Sequence, residues 1–209
     1  MTTNHHQDDT DQLLRLAAAG DTSAATRLLD RHRDRLRNLI ALRLDTRLSA
    51  RVDPSDVIQE ALVDANAQLT RFANERPLPF YPWLRQVALS RLAQVHRFHL
   101  HTQRRAVDRE VDKLETMDNS GAELARHFAS NLPSPSQQAR ENEKRRSLDD
   151  AIRKLRPTDR EVLVLRYVEQ LSASDAAAVM RMTPNTFAQR HLRAVRRLRT
   201  LVDSLEEDR

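Results

Sequence analysis

Apolar residues recur at three- and four-residue intervals along most of this chain, and the alternating runs a strand needs are scarce. Leu13, Leu14, Leu16 and Ala17 predict a short helix over residues 11–19, closed by Gly20. Asp21 caps the next helix. Ala24, Leu28, Leu29, Leu36, Leu39 and Ile40 line its inner face, and Arg27, Arg31, Arg33, Arg35 and Arg37 its outer face. Residues 43–51 read as a connection. Over residues 53–65, DPSDVIQEALVDA, Asp53 is the cap, Pro54 sits where a missing N–H costs nothing, and Asp56 suits the helix dipole. Val57, Ile58, Ala61, Leu62 and Ala65 make its buried stripe. Residues 69–82 hold three prolines and are read as a loop carrying Phe72, Asn74, Phe80 and Tyr81. A long helix follows over residues 83–105. Trp83, Leu84, Val87, Ala88, Leu92, Val95 and Phe98 are expected inside; Arg85, Arg91, Arg97, Arg104, Arg105, His96, His99 and His101 are expected outside.

The pattern then lapses. Residues 106–125 hold six acids against Arg109 and Lys113, and a Pro- and Ser-rich stretch comes next. Residues 106–136 are therefore expected to be an acidic linker, with a helical turn or two near residues 122–130. Beyond it, Leu148, Ala151, Ile152 and Leu155 mark a helix over residues 137–155, stopped by Pro157. Thr158 and Glu161 form a capping box for a helix over residues 159–169, with Val162, Leu163, Leu165 and Val168 inside. Ser172 with Asp175, then Thr183 with Pro184, open two more helices joined by a tight turn. The last carries Phe187, His191, Ala194, Val195 and Leu198 on one face, and Arg190, Arg193, Arg196, Arg197 and Arg199 with no acid up to Thr200. This is the spacing of a helix-turn-helix, whose second helix enters the DNA major groove. An αα-hairpin with a solvated arginine face has the same spacing.

Composition narrows the class. The chain has 209 residues, 2 glycines and only 4% aromatics, so its cores must be small and aliphatic. An all-α protein of two small helical domains is expected. Net charge is +5, and only Lys113, Lys144 and Lys154 among 35 basic residues are lysines. Arginine suits bidentate contacts with phosphate and guanine. No cysteine is present, which excludes disulfides and thiol chemistry. No secretory h-region and no membrane-length apolar run occur, so a soluble intracellular protein without membrane insertion is expected. Two glycines leave no phosphate-cradling loop, and no triad is apparent. Without Cys or an evident carboxylate partner, the histidines at 96, 99 and 101 fit polar or phosphate-facing roles better than a metal. No enzyme activity, cofactor, metal or small-molecule substrate is expected.

Within this basic chain, residues 53–65 hold four acids and no base. That is either a solvated helix face or a docking surface for a basic partner other than DNA. Likewise the aromatics, Asn and Arg of the loop at 69–82 either anchor the loop or catch an unstacked base.

Three stretches in this order resemble RNA polymerase sigma factors of the extracytoplasmic-function (ECF) class: DPSDVIQEALVDA, FYPWLRQVALSRL and LRPTDREVLVLRYVEQLSASDAAAVMRMTPNTFAQRHLRAVRRL. The resemblance implies a disordered tail over residues 1–10 and a first domain over 11–105 that binds core polymerase and melts the minus-ten element. It implies a linker over 106–136 and a helix-turn-helix domain over 137–205, four-helical and winged-helix-like, for the minus-thirty-five element. Asp56, Gln59 and Glu60 match the polymerase-contacting positions. Arg71, Phe72 and Asn74, in the segment that captures a flipped base, and Ser90, Arg91, Gln94 and Arg97 match the minus-ten surface. Asn185, Thr186, Gln189, Arg190, Arg193, Arg196 and Arg197 match the minus-thirty-five helix. The implied partners are core RNA polymerase and promoter DNA, duplex and melted, in the bacterial cytoplasm. An anti-sigma factor is common in the family, though no residue here shows one. The chain departs from the family at four positions. Arg181 stands where the turn usually has Gly, Ala188 replaces a Lys, His191 replaces a buried Leu, and Ser90 replaces an Asn. Two other readings remain: a duplex-binding regulator using residues 158–200 alone, and a protein-binding adaptor that never touches DNA.

Overall fold

The computed structural model describes residues 3–44, 48, 51–104, 120–129 and 138–207. All described regular structure is helical, and the chain divides into two compact units, Met1–Met117 and Asp118–Arg209.

In the first unit, α4 (Pro54–Glu75) is the central element. It packs against α1 (Thr3–Ala18), α2 (Thr22–Asp30), α3 (Arg33–Arg43) and α5 (Phe80–Arg104). Its start follows from its caps: the Asp53 carboxylate accepts from the Ser55 N–H at 2.7 Å, and Pro54 opens the helix. Val57, Ile58, Ala61, Leu62 and Ala65 are all buried, as their spacing predicts. They meet Leu13 and Leu14 of α1, Leu28 and Leu29 of α2, Leu36 and Ile40 of α3, and Leu84 and Ala88 of α5 in an aliphatic core. Each Val, Leu or Ile among them contributes about 1.5–3 kcal/mol on full burial.

Three expectations for this unit are corrected. The helix beginning after Asp21 is two helices, broken at Arg31 and His32. Propensity cannot show this, because ordinary residues differ by only about 0.7 kcal/mol and tertiary contacts outweigh it. The break places His32 against Phe80 and Tyr81, with ring centroids 5.4 and 5.5 Å away, while the Arg35 guanidinium sits 3.8 Å over the Tyr81 ring. Next, α1 begins at Thr3, inside the expected disordered tail. Asp9 pairs with Arg31, and Asp11 pairs with Arg76 at 2.8 Å. Last, along α5 Arg85 and His96 are buried whereas Phe98 is 71% exposed. Arg97 and Phe98, the two residues after His96, are both exposed, so the apolar pattern runs on past the buried stretch.

Burial, reinforced by Arg35 and Arg31, lowers the His32 pKa to about 4. Its unfolded value is near 6.5, so the imidazole is neutral in the fold at pH 7, and the unfolded chain takes up the proton first as pH falls. The contribution is fully present above pH 6.5 and is lost as pH drops towards 4, by about 3 kcal/mol in all. His32→Phe should remove this dependence. Urea unfolding of the two proteins at pH 7 and pH 4.5 should therefore give a stability difference that shifts in favour of the variant at the lower pH. A constant difference would refute it.

The second unit contains α6 (Ser120–Ala129), α7 (Gln138–Lys154), α8 (Pro157–Leu163), α9 (Ala173–Val179) and α10 (Pro184–Glu207). No strand occurs among the described residues, so the helix-turn-helix has no β wing there. Leu124, Ile152, Val162, Leu163, Leu165, Leu171, Phe187, Ala194 and Leu198 form its core. Inside the expected linker, α6 buries Leu124 and Ala125 and packs on α7. The acidic stretch before it lies mostly outside the described residues. The Thr158 capping box does not form. Instead α8 starts two residues earlier at Pro157, and Arg160 reaches back to the Ile152 and Arg153 carbonyls at 3.2 and 2.9 Å, closing the end of α7. A π-helical turn, Val164–Val168, continues α8, closed by the Glu169 N–H on the Val164 carbonyl at 2.9 Å. The wider turn shifts the inward register, so Val168 is half-buried and Glu169 is buried instead.

Candidate nucleic-acid and protein interfaces

The buried stripe of α4 forces the intervening residues outward. Asp56, Gln59 and Glu60 are all exposed on this outer face, and with Val63, Asp64 and Arg91 they line a shallow depression. Val63 is 66% exposed. The sequence reading missed it, although the signal was there: Val63 is an apolar residue off the helix's own buried stripe. The Asp53 carboxyl at the cap is held below its usual pKa by the Ser55 hydrogen bonds and the nearby Arg37.

The putting of residues 69–82 in one loop is corrected. Helix α4 runs on to Glu75, because the first proline of the 69–82 stretch is Pro77 and nothing between residues 69 and 76 lacks a backbone donor. Arg76 ends the helix in the left-handed region (φ 39°), its N–H on the Phe72 carbonyl at 2.8 Å, and only residues 76–79 are non-helical. Arg71, Phe72 and Asn74 thus lie in the last turns of α4. Arg71 and Asn74 are exposed, with Arg71 paired to Glu75 at 2.8 Å. Phe72 points inward. It is 4% exposed and stacked on Trp83, ring centroids 4.2 Å apart, with Phe80 at 5.8 Å. It belongs to the core and offers no face to a base.

Along α5, Ser90, Gln94 and Arg97 are exposed. Arg91 is partly covered: its Nε bonds Glu60 at 2.7 Å and its Nη1 bonds Gln94 at 3.2 Å. Phe98 lies on this same helical side, and α5 contains no acid. Basic side chains interleaved with an exposed aromatic are what a single strand needs.

In the second unit the Ser172 hydroxyl accepts from the Asp175 N–H at 3.0 Å, and the Thr183 hydroxyl from the Thr186 N–H at 3.2 Å, so both expected caps form. Asn185, Thr186, Gln189, Arg193 and Arg196 are exposed on α10. Of the two other expected contact residues, one is exposed but paired and the other is partly covered. Arg197 reaches Asp159 at 3.6 Å, and Arg190 is half-buried.

Residues 145–198 match the family described as Sigma-70, region 4, which covers the helix-turn-helix from α7 into α10. Over 203 residues the chain is 29% identical to the RNA polymerase sigma factor CnrH of Cupriavidus metallidurans, covering 96% of this chain and 98% of that protein. It is 27% identical over 186 residues to the ECF RNA polymerase sigma-E factor of Haemophilus influenzae, covering 88% and 91%. The chain is thus similar to ECF sigma factors along nearly its whole length. A solved structure of CnrH in complex with the cytosolic domain of CnrY shares the fold, with TM-score 0.52, 22% identity, and 94% and 99% of the two chains covered.

Two departures of this chain from the ECF pattern now have structural accounts. His191 sits against the π-helical turn, with its Nε2 3.2 Å from the Tyr167 hydroxyl. Partial burial, then Arg166, lowers its pKa, so the neutral ring is the one the fold selects. Arg181 adopts φ 53° at the end of α9. Its N–H reaches the Ala178 carbonyl at 3.1 Å and the Met182 N–H reaches Ala177 at 3.0 Å, the paired bonds of a Schellman motif. A side chain in that region costs about 1 kcal/mol. Arg181→Gly is therefore expected to raise the stability of the helix-turn-helix unit by up to about 0.5 kcal/mol, after the larger unfolded-state entropy of glycine is subtracted. Thermal unfolding followed by circular dichroism checks this, and a lowered Tm would contradict the assigned turn.

Proposed function

We propose that this chain is an ECF sigma factor that binds core RNA polymerase through α4 and directs promoter-specific initiation through two basic helices. Asp56, Gln59 and Glu60, with Val63 as an apolar contact among them, dock the polymerase. Arg71 and Asn74, at the end of α4, and Ser90, Arg91, Gln94, Arg97 and Phe98 on α5 face the minus-ten element. Asn185, Thr186, Gln189, Arg193 and Arg196 on α10 face the minus-thirty-five element. What carries the reading is one exposed acidic helix face in a chain whose α5, and α10 up to Thr200, hold no acid. Such a pattern suits a basic protein partner and two nucleic-acid contacts at once.

Arginines on phosphates supply affinity and salt dependence, and side chains on base edges supply sequence choice. Opening the duplex costs a few kcal/mol per extruded base, offset by stacking and by backbone contacts. The bond-making chemistry is the polymerase's, and sigma factors are generally non-enzymatic initiation factors. No described helix is long and apolar enough to cross a membrane, in keeping with action in the cytoplasm. Reconstitution with core polymerase and a promoter library tests the reading. Start-site-specific transcripts that require this chain are expected. Tight duplex binding with no effect on core would favour a simple regulator instead.

A further inference from the structure

Among the described residues, Arg91 joins the two surfaces of the first unit. Its Nε bonds Glu60 Oε2 at 2.7 Å, and its Nη2 lies 2.5 Å from the same oxygen. Its Nη1 bonds Gln94 Oε1 at 3.2 Å and lies 3.9 Å from Asp64. A guanidinium has five N–H donors in a fixed fork and no acceptor. Here every nitrogen of that fork already faces a protein oxygen, and the Nε–Nη2 edge is held by Glu60, so a phosphate that takes that edge displaces Glu60. By the same bond, Glu60 cannot meet a cationic partner at full charge.

We propose that the Glu60–Arg91 bridge is a latch that couples the protein interface on α4 to the nucleic-acid interface on α5. In the free chain the two charges neutralise each other. When a basic surface docks on α4 it takes over Glu60, and Arg91 and Gln94 are released together towards DNA. The coupling is reciprocal: a phosphate that captures Arg91 leaves Glu60 unpaired and strengthens docking. The latch is weak by construction. Its side chains are about 29% and 52% exposed, and pairs of that kind are worth up to about a fivefold change in an equilibrium, less at high salt. A weak latch suits a step that must be reversed in every initiation cycle.

This inference rests on α4 being the polymerase-docking face, and the experiment separates the two. Affinity of the full chain for core polymerase is measured at low salt for Arg91→Gln and Arg91→Ala, with and without Glu60→Gln. Either Arg91 substitution is expected to tighten core binding about two- to fivefold, because Glu60 is freed, while weakening promoter opening by the assembled holoenzyme. The gain should vanish in the Glu60→Gln background. Unchanged or weaker core binding on loss of Arg91 overturns the latch, as does a gain that survives Glu60→Gln. Thermal unfolding confirms that both Arg91 variants are folded. Arg91→Lys, which keeps the charge without the fork, should fall between them and the parent. An Asp56→Lys chain that binds core normally would sink the docking assignment itself, independently of the latch.

Discussion

Reversing charge at both Asp56 and Glu60 is expected to lower affinity for core RNA polymerase by at least about a hundredfold and leave the fold in place. Both side chains are exposed. Glu60 gives up its bond to Arg91, an exposed pair worth up to about 1 kcal/mol. Asp56 lies in the first turn of α4, where a lysine in its place opposes the helix dipole by about 0.3–1 kcal/mol. The structural cost is thus at most about 2 kcal/mol, set against the aliphatic core around α4. At a docked interface the arithmetic is different. A like charge placed opposite a desolvated cation costs several kcal/mol, and two such replacements comfortably exceed the 2.7 kcal/mol that a hundredfold loss requires. Core binding at two salt concentrations, alongside urea unfolding, separates the effects. Equal affinity for the variant and its parent would remove α4 from the interface.

How much of this was legible in the sequence depends on the range of the interaction concerned. Caps were legible because they are local: Asp53, Ser172 and Thr183 each accept a backbone N–H two or three residues away. The stripe of α4 was legible because one period holds along its length. The left-handed turn at Arg181 and the partnered His191 were also accessible, as departures at positions where the backbone or the core permits few residues. What escaped was set by tertiary partners. Nothing near Arg31 and His32 encodes a break; the aromatic pair at Phe80 and Tyr81 makes it worthwhile. Arg85 and Phe98 exchanged places because periodicity says which residues share a face, and cannot say where the neighbouring helices stop. The π-helical turn moved Glu169 inward by a register change that no spacing rule at 3.6 residues per turn contains. The candidate site suffered in the same way. Most charges on outer faces are exposed, with Arg85 the buried exception, whereas Phe72 was assigned to DNA before its packing was known.

Phe72 supplies the sharpest test of that difference. An aromatic that catches an unstacked base stands in solvent, and its removal leaves stability nearly unchanged. The observed Phe72 is buried and stacked on Trp83 with the ring planes 18° apart, closing the bottom of the core between α4 and α5. Phe72→Ala removes a whole ring from a packed site and is expected to destabilise the first unit by about 3–5 kcal/mol. Phe72→Leu keeps most of the volume and should cost about 1.5 kcal/mol or less, because the loss is then mainly of shape. The neighbouring exposed residues should behave in the opposite way. Arg71→Ala and Asn74→Ala are expected to stay within about 0.5 kcal/mol of the parent in stability while impairing promoter opening. Denaturant unfolding of the four variants, with promoter opening scored by permanganate footprinting of the holoenzyme, gives both axes. A folded, fully stable Phe72→Ala chain that fails only in opening would return Phe72 to the DNA surface. An unstable Phe72→Ala chain, with opening intact in Phe72→Leu, would leave base capture to the polar side chains at the end of α4, and would make the stack on Trp83 the support that holds those side chains in place.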